Sequence, residues 1–119
     1  MIYTAQYRYP GQDRLDITVK GNCPAGKLYA PTWDMVNRIK SGLLTEEGYT
    51  QEYYDLLIRR WKKSETNRQE MLTFVKMITD RDITVVCFCP RGAFCHRHLL
   101  VRFLIHNYPQ VQYGGEREV

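Results

Sequence analysis

Three of the four cysteines, Cys87, Cys89 and Cys95, fall in one short segment that runs directly into His96 and Arg97. A thiol at a helix N-terminus has its thiolate stabilised and its pKa lowered. A helix opening at Cys95 would therefore make that residue a candidate nucleophile, with His96 beside it as a candidate base. Between the cysteines lies Pro90-Arg91-Gly92-Ala93-Phe94. A glycine-containing loop that leads into a helix directs several free backbone N–H groups at one point, where the helix dipole adds positive potential. Arg91, His96 and Arg97 add side-chain donors, so the segment is expected to cradle an anion, most naturally a phosphate. The plainer alternative is an ordinary strand–helix connection with solvated arginines.

Other chemistries fit the spacing less well. A phosphatase loop needs an arginine six residues after its cysteine, but that position holds Cys95 after Cys89 and Val101 after Cys95. Cys87, Cys89, Cys95 and His96 offer four zinc-binding atoms. Cys87 and Cys89 converge only if their strand has ended by Cys89, however, and the spacing matches no common zinc module. No metal and no cofactor are therefore expected. His98 and His106 read as surface or packing residues. Among the early aromatics, Tyr7, Tyr29 and Trp33 are candidates to stack on a flat ring of a ligand.

The elements that would position these groups follow from periodicity and turn chemistry. Ile2 to Arg8 reads as a strand ended by Pro10-Gly11, and Leu15 to Val19 as a second, half-exposed strand. Lys20 to Lys27 reads as a loop. Thr32 can cap a helix from Trp33 to Ser41, closed by Gly42. Thr45 and Glu46-Glu47 start another, whose apolar positions Tyr49, Tyr53, Leu56, Leu57 and Trp61 recur at helical spacing. Thr66 with Gln69 suggests a capping box opening a third, with Met71, Phe74, Val75 and Ile78 on one face.

Ile83 to Phe88 is a continuous β-branched and apolar run, as a buried central strand requires. The last helix spans about Cys95 to Asn107, before Pro109, and Val111 to Tyr113 is a short edge strand followed by a polar tail. Strands separated by helix-sized crossovers predict a single α/β domain over residues 1–119. Its expected form is a Rossmann-like three-layer sandwich with a small parallel or mixed sheet. In such sheets ligands bind beyond the carboxyl ends of the strands, which is where Cys87 to Arg97 falls.

Composition narrows the function classes. With 119 residues, 44% hydrophobic and 25% charged, the chain has the make-up of one globular domain rather than a disordered or repeat protein. The net charge of +4 is mild. Basic pairs such as Arg59-Arg60 and Lys62-Lys63 are offset by acidic ones such as Glu46-Glu47, so a nucleic-acid interface is the less favoured use of the charge. No stretch is long and apolar enough to span a membrane. Cysteines crowded into one segment do not make a disulfide framework, so a reduced, cytoplasmic protein is expected.

The run from Val85 to Leu99, with Cys87, Cys89 and the triplet Cys95-His96-Arg97, resembles the DUF488 family. Ile2-Tyr3-Thr4, Leu28-Tyr29-Ala30-Pro31 and Glu46-Glu47-Gly48-Tyr49 resemble it too. The resemblance implies a Rossmann-like sandwich with a shared site at Cys87, Cys95, His96 and Arg97. Where the family pattern carries glutamate this chain has Cys89, so any general acid or base that glutamate supplies is missing here. The expected function is binding, by sequestration, of a phosphorylated nucleotide-like small molecule at residues 87–97. The alternative is a hydrolase or transferase acting on a nucleotide or nucleoside through Cys95 and His96. An oligomer is compatible with either.

Overall fold

The structure, a computed structural model, describes residues 1–119 as nine elements. These are β1 (Ile2–Gln6), β2 (Arg14–Asp16), α1 (Pro24–Lys27), α2 (Trp33–Lys40), α3 (Glu46–Lys63), α4 (Glu65–Asp80), β3 (Ile83–Cys87), α5 (His96–Asn107) and β4 (Tyr113–Glu116). The strands form one all-parallel sheet in the order β2-β3-β1-β4. All five residues of β3 are buried, so the sheet is covered on both faces there. The result is the expected single α/β domain of Rossmann-like sandwich form. No helix is long and apolar enough to cross a membrane.

Parallel pairing sets the site's position. β1 and β3 run in register from Ile2 beside Ile83 to Gln6 beside Cys87, so Cys87 is the last paired residue at the carboxyl edge of the sheet. The core behind it is built from Tyr53, Leu57, Ile78, Val85, Leu99 and Leu100, all at most 2% exposed. Apart from Val85 of β3, these lie on the apolar faces that helical spacing picks out in α3, α4 and α5.

β1 and β3 end within two residues of their expected ends, and four other departures from expectation each have a local reason. β2 stops at Asp16 rather than Val19, because the Asp16 carboxylate accepts from both the N–H and the hydroxyl of Thr18 and turns the chain. The expected loop before Lys27 contains the one-turn helix α1, with Pro24 at its start. Ser64, not Thr66, caps α4: its hydroxyl accepts from the Asn67 N–H at 3.0 Å, while Gln69 pairs with Glu65. The edge strand is Tyr113–Glu116 rather than Val111–Tyr113. Val111 is a buried plug, and Gly114 lies so close over the Tyr3 ring that a Cβ would meet it at 2.2 Å. Glycines carry little strand propensity, which hides this strand in the sequence.

Candidate functional site

β3 ends at Cys87 and the chain breaks out of the sheet at once. Phe88 turns outward, 55% exposed, and stacks on Tyr7 with ring centroids 4.2 Å apart. Pro90 to Ala93 form a tight turn in which Gly92 takes φ +81°. Cys95 then stands at the N-cap position of α5, in extended conformation and with no side-chain capping bond. This path returns the chain over the end of β3. The sulfurs of Cys87, Cys89 and Cys95 all lie within 4.8 Å of one another, and none is bridged. The convergence that the spacing left conditional is met, because the strand has ended before Cys89.

Arg97 explains much of the arrangement and corrects an expectation. It is fully buried, and a buried guanidinium must satisfy its five N–H groups within the protein. Its Nε and Nη2 donate to the two carboxylate oxygens of Glu116, at 3.2 and 2.7 Å. Nη1 donates to Cys87 Sγ at 3.1 Å and to the Cys89 carbonyl at 2.9 Å. Nη2 also reaches the Pro90 carbonyl at 3.4 Å. No donor is left for an incoming anion. Arg91 points away to Glu118 on the surface, at 3.3 Å. The expected cradle of Arg91 and Arg97 does not assemble. Arg97 is an internal cation beneath Cys87, and Glu116, which sequence reasoning placed in the polar tail, is its counter-ion.

His96 is buried, and burial lowers its pKa, which keeps the ring neutral. Its Nε2 lies 2.8 Å from the Ile17 carbonyl. A carbonyl can only accept, so Nε2 carries the hydrogen and Nδ1 presents a lone pair, 3.7 Å from Cys95 Sγ. The ring's orientation is completed by the edge of Tyr53, whose hydroxyl donates to the Tyr29 carbonyl at 2.7 Å.

The three thiols differ in their proton affinities. Bonds from Cys89 above all, then from Cys95, together with the nearby Arg97, push Cys87 far below the ordinary thiol range against the cost of burial. The same sharing raises Cys89 to about 11, chiefly through its bond to Cys87. It also holds Cys95 firmly as a thiol, with the bond to Cys87 again the largest cause. Arg97 donates to Cys87 Sγ and to neither of the other two sulfurs, so negative charge in the trio is favoured at Cys87. At Cys95, expected to be activated by its helix N-terminus, the bonds to Cys87 and Cys89 and burial act in the opposite direction and raise the thiol's pKa.

A cavity of about 840 Å³ opens above this trio. Cys87, Cys89, Cys95 and His96 line it, together with the rings of Trp33, Tyr49, Phe88 and Phe94. Three charged side chains reach it, Lys20 after β2, Lys40 at the end of α2 and Glu46 at the start of α3, leaving one net positive charge on the wall. Of the expected ring platforms, only Trp33 lines this cavity. Tyr29 is a core residue against Phe74, and Tyr7 stands behind Phe88. Gly92 is exposed on the outer turn. Sequence reasoning missed Lys20, Lys40, Phe88 and Phe94 as wall residues. Phe88 and Phe94 border the cysteine segment and could have been found there; nothing in their neighbourhoods marks the two lysines.

A family model named DUF488-N3a, described as the active DUF488-N3 subclade, matches residues 7–108. No curated protein and no solved structure matches the chain.

Proposed function

The chain belongs to the DUF488-N3a family, and on that premise we propose that its cavity binds a phosphorylated, nucleotide-like small molecule. The observation that carries this is the composition of the wall. Trp33, Phe88 and Phe94 offer faces for a flat ring, while Lys20 and Lys40 offer exposed cations for a phosphate. The volume, about 840 Å³, falls in the range of small-molecule sites, roughly 300–1,000 Å³. The phosphate site thus moves from the arginines of the cysteine segment to lysines across the cavity. The unbridged cysteines suit a reducing compartment such as the cytoplasm.

A second reading is favoured by one specific contact. Arg97 donates to Cys87 Sγ at the cavity floor, an arrangement that simple sequestration does not require. In this reading the protein is a transferase or hydrolase. The Cys87 thiolate attacks the phosphorus or glycosidic carbon of the bound molecule, and the bond to the leaving oxygen or nitrogen breaks, that group taking a proton from solvent. Water or an acceptor then displaces Cys87, and the neutral Nδ1 of His96 lies beside the cysteines to take the proton that this second attack releases. The family model's description as an active subclade is in keeping with it.

Mass spectrometry of small molecules released on denaturing the purified protein tests the ligand class. Titration calorimetry with a nucleoside monophosphate then compares wild type with Lys20→Ala and Lys40→Ala. Each substitution should weaken binding about tenfold or more, as loss of a charge-assisted contact implies. Unchanged affinity in both variants would refute the ligand pose. Incubation with candidate nucleotides separates the two readings: turnover lost in Cys87→Ala establishes the enzyme, and binding without turnover supports the first.

A further inference from the structure

We propose that Cys87, Cys89 and Cys95 form a binding site for a thiophilic divalent cation, with zinc the best chemical match, at the floor of the cavity. The inference does not depend on which molecule fills the cavity above. It reverses the expectation of no metal: Cys87 and Cys89 were expected to converge only if the strand had ended by Cys89, and it ends at Cys87, although the spacing still matches no common zinc module.

The three sulfurs lie within 4.8 Å of one another. Zinc–thiolate bonds of about 2.3 Å in tetrahedral geometry place sulfurs roughly 3.8 Å apart. The gap to close is therefore at most about 1 Å, within reach of small χ1 adjustments. Sulfur-only donor sets select soft or borderline cations over calcium or magnesium. Cys87 and Cys95 are buried and Cys89 is half-buried, which limits competition from water. No carboxylate oxygen or histidine nitrogen completes the cluster, so three protein ligands hold the ion. All three cysteines line the cavity, and the fourth coordination place faces it, as in zinc sites that exchange a water or bind a ligand.

Charge supports the same assignment. Three thiolates around a divalent ion carry one surplus negative charge, and Arg97, although ion-paired with Glu116, donates directly to Cys87 Sγ at 3.1 Å and so stabilises negative charge on that ligand. Binding displaces the thiol protons to solvent. No electron transfer is involved.

The test uses the full chain, purified in reductant and dialysed against zinc or cobalt(II). Elemental analysis should give about one metal ion per chain, and the cobalt form should show the intense visible and sulfur-to-cobalt charge-transfer bands of a tetrahedral thiolate site. Cys89→Ser should lower the affinity about tenfold or more, whereas Cys23→Ser, outside the cluster, should leave it unchanged. Because a cysteine variant can fail to fold, alkylation mapping on the wild type provides a second measurement: zinc should shield Cys87, Cys89 and Cys95 but not Cys23. Substoichiometric metal after dialysis, or equal alkylation of the trio with and without zinc, would overturn the proposal. Either result leaves nucleotide binding, read by calorimetry, to stand or fall separately.

Discussion

Arg97 is the residue on which the site's architecture turns. Removing it leaves the carboxylate of Glu116, whose side chain is 13% exposed, and the carbonyls of Cys89 and Pro90 without their donors. Breaking one side of a buried pair costs about 3–5 kcal/mol, most of it the cost of the orphaned charge. Arg97→Ala should therefore lower stability by about that amount in urea unfolding, and Arg97→Ala with Glu116→Ala together should lose clearly less than the two singly added. Equal, additive losses would mean the pair is not coupled. The pair also sets an acid limit. Burial acts to raise the Glu116 pKa, but the bonds from Arg97 and from Thr4 outweigh it and hold it below its usual 4.5. A depressed carboxylate contributes stability above its unfolded value and loses it as pH falls through the folded one. The stability advantage of wild type over Glu116→Gln should thus be full above about pH 4.5 and should shrink as pH falls below it. At this scale the sequence was half legible. The cysteine segment announces itself by residue type, but the sequence assigns Arg97 to a ligand because Glu116, 19 residues on behind two glycines, gives no sign of being its partner.

Among the elements, the helices were read most faithfully, because capping chemistry and a 3.6-residue apolar period act over neighbouring residues. Thr45 caps α3 and Thr32 caps α2 as the sequence indicates, each accepting an N–H from three residues on. Where two helices abut, the signal is ambiguous. Ser64 closes α3 and opens α4, and both it and Thr66 are good capping types. Their substitutions discriminate: Ser64→Ala should cost about 1 kcal/mol of stability, while Thr66→Ala should stay within about 0.5 kcal/mol. The reverse order in thermal or urea unfolding would restore Thr66 as the cap. The short helix α1 was missed since one turn shows no period. It is fixed by a contact instead: a Cβ on Gly26 would stand 1.8 Å from the Asp16 carbonyl oxygen, an impossible approach against backbone. Gly26→Ala should push α1 off β2 at a cost of about 1–3 kcal/mol. Since Thr18, Val19 and Lys20 follow β2 directly into the cavity wall, the same change should also weaken ligand binding, which calorimetry would detect.

For the whole molecule, the fold class was legible because alternating strand and helix segments leave few ways to bury both faces of a sheet. The location of the cavity at the carboxyl edge followed from the same rule. What the sequence could not supply is which distant side chains face that edge, since Lys20, Trp33 and Lys40 reach it only through the tertiary path of α1 and α2. That path bears on the proposed choice of a small ligand over a nucleic acid. The net charge is +4, but several of its arginines are spent inside the fold or in ion pairs, as Arg97, Arg38 and Arg68 are. The two cavity lysines face a concave, ring-lined space rather than an open basic stripe. A polymer bound by phosphates needs many such contacts and shows steep salt dependence; a mononucleotide needs only these two and a ring. A ligand that binds only the folded state, at 100 times its Kd, stabilises it by about 2.7 kcal/mol. A nucleoside monophosphate at that excess should raise the melting temperature of the wild type accordingly. The nucleoside without its phosphate should do so less, and Lys20→Ala with Lys40→Ala should abolish the difference between them. Duplex DNA at equal phosphate concentration should give little shift at physiological salt. A DNA shift as large as the nucleotide's, falling steeply between low and physiological salt, would instead assign the lysines to a nucleic-acid backbone.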